Sequence, residues 1–175
     1  MKLLTYKFFL VFIYLISTVF SYSEETNIKN LVLLKQSKKL ENVIFNDIDN
    51  KVINLKEFKG SLVIVNFWAT WCAPCREEMP SLDNLQKHKA FKNLKIFPIN
   101  VGQENIQKSI KFFEELNIEN LDIYYDEGIN LAKIFSLRGL PTSVIINKNG
   151  EEFARIVGSI DFTEEKFIEW LSNYN

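Results

Sequence analysis

The chain has 175 residues, of which 47% are apolar and 25% charged. That balance suits one globular domain with a short extra segment and excludes a wholly disordered chain or a polytopic membrane protein. The formal net charge is −1, without the basic excess of a nucleic-acid binder, and the two cysteines are too few for a disulfide-rich scaffold but enough for one redox pair.

Lys2 and Lys7 precede an apolar run from Phe8 to Phe20, followed by the small residues Ser21 and Ser23 and by acidic Glu24 and Glu25. This is the pattern of a secretory signal peptide; an uncleaved N-terminal membrane anchor is the alternative. The run falls short of the roughly 20 apolar residues that span a bilayer. Either reading places the rest of the chain outside the cytoplasm, because the positive end stays inside. The expected location is therefore the periplasm or the outer face of the inner membrane. Residues 1–23 read as signal or anchor, 24–40 as a linker with one apolar patch and a short helix, and 41–175 as the folded domain. Without residues 1–23, 19 basic and 22 acidic residues remain, so no affinity for anionic surfaces is expected.

Val43–Phe45 and Val52–Leu55 flank the turn-like Asp47–Asn50, which predicts a small hairpin. Leu55–Phe58 reads as one helical turn stopped by Gly60. Leu62–Phe67 is short, β-branched and apolar except for Asn66, the signature of a buried central strand. A loop then leads to Cys72 and a helix to about His88, with Pro80 inside it. Leu94–Val101 reads as a second buried strand, and Asn105–Leu116 as a helix with Ile106, Ile110, Phe113 and Leu116 on one stripe. Leu121–Tyr125 reads as a strand and Asn130–Phe135 as a short helix. Ser143–Ile146 and Glu152–Val157 alternate around Asn149-Gly150, a strong hairpin signal. Asp161, with Glu164 three residues on, predicts a capping box for a last helix that carries Phe167, Ile168, Trp170 and Leu171. Strands alternating with helices and ending in a hairpin and a helix argue an α/β layered fold with a mixed sheet.

The chemistry centres on Trp71-Cys72-Ala73-Pro74-Cys75, placed after a buried strand and opening a helix. The spacing lets the two sulfurs bond across one turn. Unpaired N–H groups and the helix dipole stabilise a thiolate at that end. Cys72, at the exposed start, is the better nucleophile; Cys75, one turn in, suits the resolving role. Pro74 lacks an N–H, a loss that an early helical position tolerates. A purely structural disulfide would close only about four residues, with little entropic effect. Zinc would need four ligands, and the chain offers one histidine, His88, beside its two cysteines. A c-type haem motif would need histidine where Arg76 stands. The reading calls for neither metal nor other cofactor.

Phe67-Trp68-Ala69-Thr70-Trp71-Cys72-Ala73-Pro74-Cys75-Arg76, with Pro80 five residues after Cys75, resembles the thioredoxin superfamily. So do Gly139-Leu140-Pro141-Thr142, the Asn149-Gly150 hairpin and Gly158. The extra N-terminal hairpin, Arg76-Glu77-Glu78-Met79-Pro80 and an inserted strand–helix stretch at about residues 100–125 look most like the exported TlpA/ResA/DsbE-like thiol–disulfide oxidoreductases. The resemblance covers roughly residues 40–173. It implies a thioredoxin-like three-layer fold and a cis-proline at Pro141 facing the cysteines. It also implies that the backbone of Leu140 pairs with an extended substrate, and that Trp68 and Trp71 pack around the disulfide, with Trp71 also touching substrate.

Glu78 lies three residues after Cys75 and shares its helical face. A carboxylate beside a buried dithiol can exchange protons with it, and the resemblance makes this glutamate an active-site residue; a solvated surface glutamate is the alternative. Asn66, six residues before Cys72, falls where thioredoxin carries a buried acid. Asparagine cannot titrate, so Glu78 is the expected substitute. His88 reads as a surface or cap residue.

The expected activity is reduction of disulfides in protein substrates by the Cys72/Cys75 dithiol, recharged by a membrane or exported thiol donor. Ala73-Pro74 lacks the histidine of strongly oxidising pairs, which favours a reductant. The resemblance implies apocytochrome c as client. The rival readings are a disulfide-forming oxidase on the same fold and a non-catalytic binding module with a structural disulfide.

Overall fold

The computed structural model describes residues 27–126, 128 and 130–175; the expected signal or anchor segment lies outside the described residues. Among the described residues, no helix is long and apolar enough to cross a membrane. The first strands are β1 (Leu31–Lys39), β2 (Ile44–Asp47) and β3 (Val52–Asn54), the last followed by a 3-10 turn at Leu55–Phe58. Then come β4 (Leu62–Trp68), α1 (Ala73–Gln86), β5 (Leu94–Asn100), α2 (Ile106–Glu115) and β6 (Tyr124–Tyr125). The chain ends with α3 (Asn130–Ile134), β7 (Thr142–Ile146), β8 (Glu151–Val157) and α4 (Glu165–Ser172).

The strands form one mixed sheet in the order β1-β8-β7-β4-β5-β6-β2-β3. β4 and β5 run parallel, as do β5 and β6, each pair joined through a helix. The other pairings are antiparallel. All seven residues of β4 are buried, which a strand covered on both faces requires. Its pleat sends Leu62, Ile64 and Trp68 into one core with Met79 and Leu82 of α1, Phe112 and Phe113 of α2, and Phe167 and Leu171 of α4. Val63, Val65 and Phe67 enter a second core with Phe97, Leu131 and Phe135. The fold is thus an α/β three-layer, thioredoxin-like one. The sequence-expected insertion adds α2 and β6, and the N-terminal hairpin docks on β6 through Asn46 and Asp47.

Three local expectations change. Residues 31–39 are not part of a linker or a short helix: they form β1, paired with β8 from Leu31 opposite Ile156 to Lys39 opposite Glu151. A register shift between Leu33 and Lys38 and a mostly exposed, lysine-rich surface are the devices that protect a sheet edge. They also erase the alternation by which a strand is read from sequence. The strand expected at Leu121–Tyr125 shrinks to Tyr124–Tyr125, although Leu121 and Ile123 remain buried. The last helix is capped by Glu164 with no side-chain bond. Asp161 instead accepts the Thr163 N–H at 2.8 Å in the turn before it.

Phe135 is fully buried with its ring 5.2 Å from that of Phe67. Phe135→Ala is expected to cost about 3–5 kcal/mol in denaturant unfolding, the range for an aromatic lost from a packed core. A loss under about 1 kcal/mol would show that this side of the sheet is loosely packed.

Candidate active site

The buried β4 ends at Trp68, and the chain then turns tightly: Cys72 N–H donates to the Ala69 carbonyl at 3.1 Å. Cys72 is the N-cap of α1, and its Sγ accepts the Cys75 N–H at 3.3 Å. One sulfur thus receives a hydrogen bond from the positive end of a helix, the arrangement that favours thiolate. Pro74 is the second helical residue, where its missing N–H costs no helical bond. Cys72 and Cys75 are joined as a disulfide. Cys72 is less exposed than the sequence implied, at 5% against none for Cys75, because it belongs to the first core.

Trp71 is 68% exposed. It directly precedes Cys72 in the chain. Trp68 is fully buried, with its ring 4.7 Å from Phe112 and 5.5 Å from Phe113. The Leu140–Pro141 bond is cis. The Pro141 carbonyl accepts the Gly158 N–H at 2.9 Å, and Leu140 packs against both cores. His88 lies just beyond α1, half-buried, its Nδ1 accepting the Ala90 N–H at 3.3 Å.

Glu78 is 2% exposed, not a solvated surface residue. The even-numbered residues of β4 face α1, so Asn66 lies beneath that helix, fully buried. Its Nδ2 donates to Glu78 Oε1 at 2.8 Å and to Ser143 Oγ at 2.9 Å. Burial pushes the Glu78 carboxyl up to about 8, against the lowering pull of hydrogen bonds from Asn66 and the Ile160 backbone. Glu78 is therefore neutral at pH 7 in the oxidised protein. It also lines a cleft of about 460 Å³ with Ser81, Asn84, Ile160 and Thr163. Exposed Glu77 is its sequence neighbour but does not share its burial.

Two further carboxylates touch the cysteine loop, and the sequence reading did not single them out. Glu104 accepts the Thr70 N–H at 2.9 Å and the Thr70 hydroxyl. Glu115 pairs with Arg76 at 2.6 Å, and the Arg76 guanidinium lies 5.4 Å from the centre of the Phe112 ring. The available signal was topological: loops at the carboxyl ends of adjacent parallel strands meet, and Glu104 follows β5 as Thr70 follows β4. Among the described residues, no group of three His, Cys, Asp or Glu is placed to hold a metal ion.

A family model described as Redoxin matches residues 35–167. The chain belongs to the Redoxin family. It is 33% identical over 134 residues to the thiol-disulfide oxidoreductase ResA of Bacillus thuringiensis subsp. konkukian (strain 97-27), covering 77% of this chain and 75% of that protein. It is 29% identical over 131 residues to ResA of Bacillus subtilis (strain 168), covering 75% and 71%. Its fold resembles the crystal structure of a thiol:disulfide interchange protein of the thioredoxin family from Chlorobium tepidum TLS. There the TM-score is 0.65 at 25% identity, covering 78% of this chain and 97% of that one. This Redoxin protein is a thiol–disulfide oxidoreductase of the TlpA/ResA/DsbE-like group, and a purely structural role for its disulfide is set aside.

A carboxyl raised by burial favours the folded state while protonated. The unfolded chain ionises it above about 4.5 while the folded Redoxin protein holds its proton to about 8. Stability is therefore lost as pH rises through that window. Against Glu78→Gln, the oxidised wild type should lose on the order of 4 kcal/mol between these pH values. Denaturant titrations at a series of pH values check this; a pH-independent difference would show that Glu78 is ionised throughout.

Proposed function

We propose that this protein is an exported reductase of protein disulfides. The cysteine pair at the N-terminus of α1, with a buried neutral carboxyl one turn beyond it, is the observation that carries the reading. In the reduced protein, the Cys72 thiolate attacks one sulfur of a client disulfide. A mixed disulfide forms and the client's second sulfur leaves as thiolate. Cys75 then attacks Cys72 Sγ, closing the Cys72–Cys75 bond and releasing the client's first sulfur. The dithiol loses two electrons and the client disulfide gains them.

Glu78 handles the proton. Poised near 8, close to a free thiol, the neutral carboxyl can give its proton to the departing client thiolate, and the carboxylate so formed takes the proton of Cys75 as Cys75 attacks. Asn66 orients that carboxyl from below. Trp71, the Leu140 backbone and Pro141 form the surface on which an extended client segment lies. Arg76 is the cation next to the pair in sequence, and its engagement with Glu115 leaves Cys72 without a free positive neighbour in its own motif. That favours a reducing over an oxidising pair. A membrane or exported thiol donor returns the electrons. The N-terminal signal or tether places the domain in the periplasm or on the outer face of the inner membrane. Reduction of haem-binding cysteines in apocytochrome c is the client role proposed by likeness to the ResA proteins.

Insulin reduction by protein lacking residues 1–23 should vanish in Cys72→Ala. Cys75→Ala should accumulate a mixed disulfide with the client. Activity that persists in Cys72→Ala would overturn the mechanism. A reduction potential at or below about −270 mV is expected for the pair; a value near −120 mV would instead mark an oxidase.

A further inference from the structure

We propose that Glu104 is a positioning residue for the reaction: its carboxylate clamps the Thr70 turn and thereby sets where Cys72 and Trp71 are presented. The inference rests on the thiol–disulfide exchange reading and adds to it a residue outside the cysteine motif. Both Glu104 oxygens are used. Oε2 accepts the Thr70 N–H at 2.9 Å and the Asn100 Nδ2 at 3.3 Å, while Oε1 accepts the Thr70 hydroxyl. These bonds outweigh desolvation and hold the carboxyl below the usual range, so it stays ionised.

The clamp is built rather than incidental. Asn100 is buried at the end of β5 and also fixes its surroundings, accepting the Gly102 N–H at 2.7 Å and donating to Ser109 Oγ at 2.9 Å. A side chain at Gly102 would meet the Glu104 carboxylate at 2.7 Å and Ala69 Cβ at 3.0 Å; only glycine admits this approach. Thr70 lies inside the Ala69–Cys72 turn, whose closing bond is donated by the Cys72 N–H itself. Releasing Thr70 frees the segment that aims the nucleophile and the exposed Trp71. The segment 104–115 also holds the far side of the motif through Glu115 and Phe112 on Arg76. The insertion thus grips the cysteine loop from both ends.

Three variants separate geometry from charge. Glu104→Gln loses the charge but keeps an acceptor for the Thr70 N–H and a donor for its hydroxyl. Glu104→Asp keeps the charge but falls one methylene short. Glu104→Ala loses both. With insulin as client, at a temperature where circular dichroism shows each variant folded, Glu104→Asp and Glu104→Ala should slow reduction by about tenfold or more, the scale of a misplaced reacting group. Glu104→Gln should stay near the parent rate. The pH profile of Cys72 alkylation by iodoacetamide should move in the two slow variants and not in Glu104→Gln. If Glu104→Ala does not fold, the Asp and Gln pair carries the test. A parent-like rate in Glu104→Asp, or a Glu104→Gln as slow as Glu104→Asp, overturns the proposal. A wild-type protein that does not reduce insulin overturns the exchange reading itself.

Discussion

The site depends on one junction: a fully buried strand delivers the N-terminus of a helix to the surface of the sheet, and a cysteine sulfur caps it. β4 is buried along its whole length, so its end is fixed by packing on both faces. The turn Ala69–Cys72 then reverses the chain within one hydrogen bond. Unpaired N–H groups at a helix start seek an acceptor, and Cys72 Sγ supplies it. The same geometry that satisfies the backbone prepares a nucleophile.

Around this junction, carboxyl groups are tuned in opposite directions by their surroundings. Glu78 lies in the core with one strong donor, Asn66, and desolvation prevails. Glu104 is met by a backbone N–H, a hydroxyl and an amide, and hydrogen bonding prevails. One group holds a proton near neutrality; the other is a fixed anion that organises backbone. Their different environments, not their shared chemistry, divide the tasks between them.

The insertion of α2 and β6 joins fold to site. It widens the sheet so that the β2–β3 hairpin has an edge to pair with. It also brings Phe112 and Phe113 onto Trp68, Glu115 onto Arg76 and Glu104 onto Thr70. These contacts join residues 34 to 45 positions apart in the chain, across the carboxyl ends of neighbouring parallel strands.

Local pattern along the chain controls several of these features. The apolar run of β4 required a buried strand. Asn149-Gly150 required a hairpin, and the spacing of Cys72 and Cys75 at a helix start required a pair able to bond across one turn. Glu78 on the Cys75 face followed from helical periodicity alone. Other features depend on distant partners and arise only when the chain folds. β1 carries no alternation because it is a sheet edge, and only the open flank of β8 makes it a strand. The burial of Glu78, and with it the raised affinity for its proton, required β4, β7 and the segment after β8 to close around it. Asp161 spent its carboxylate on a turn instead of the helix cap. Glu104 was one acid among 22 in the chain until the topology set it against Thr70. Hydrogen bonds act over about 3 Å, and sequence separation carries no information on which residues come that close.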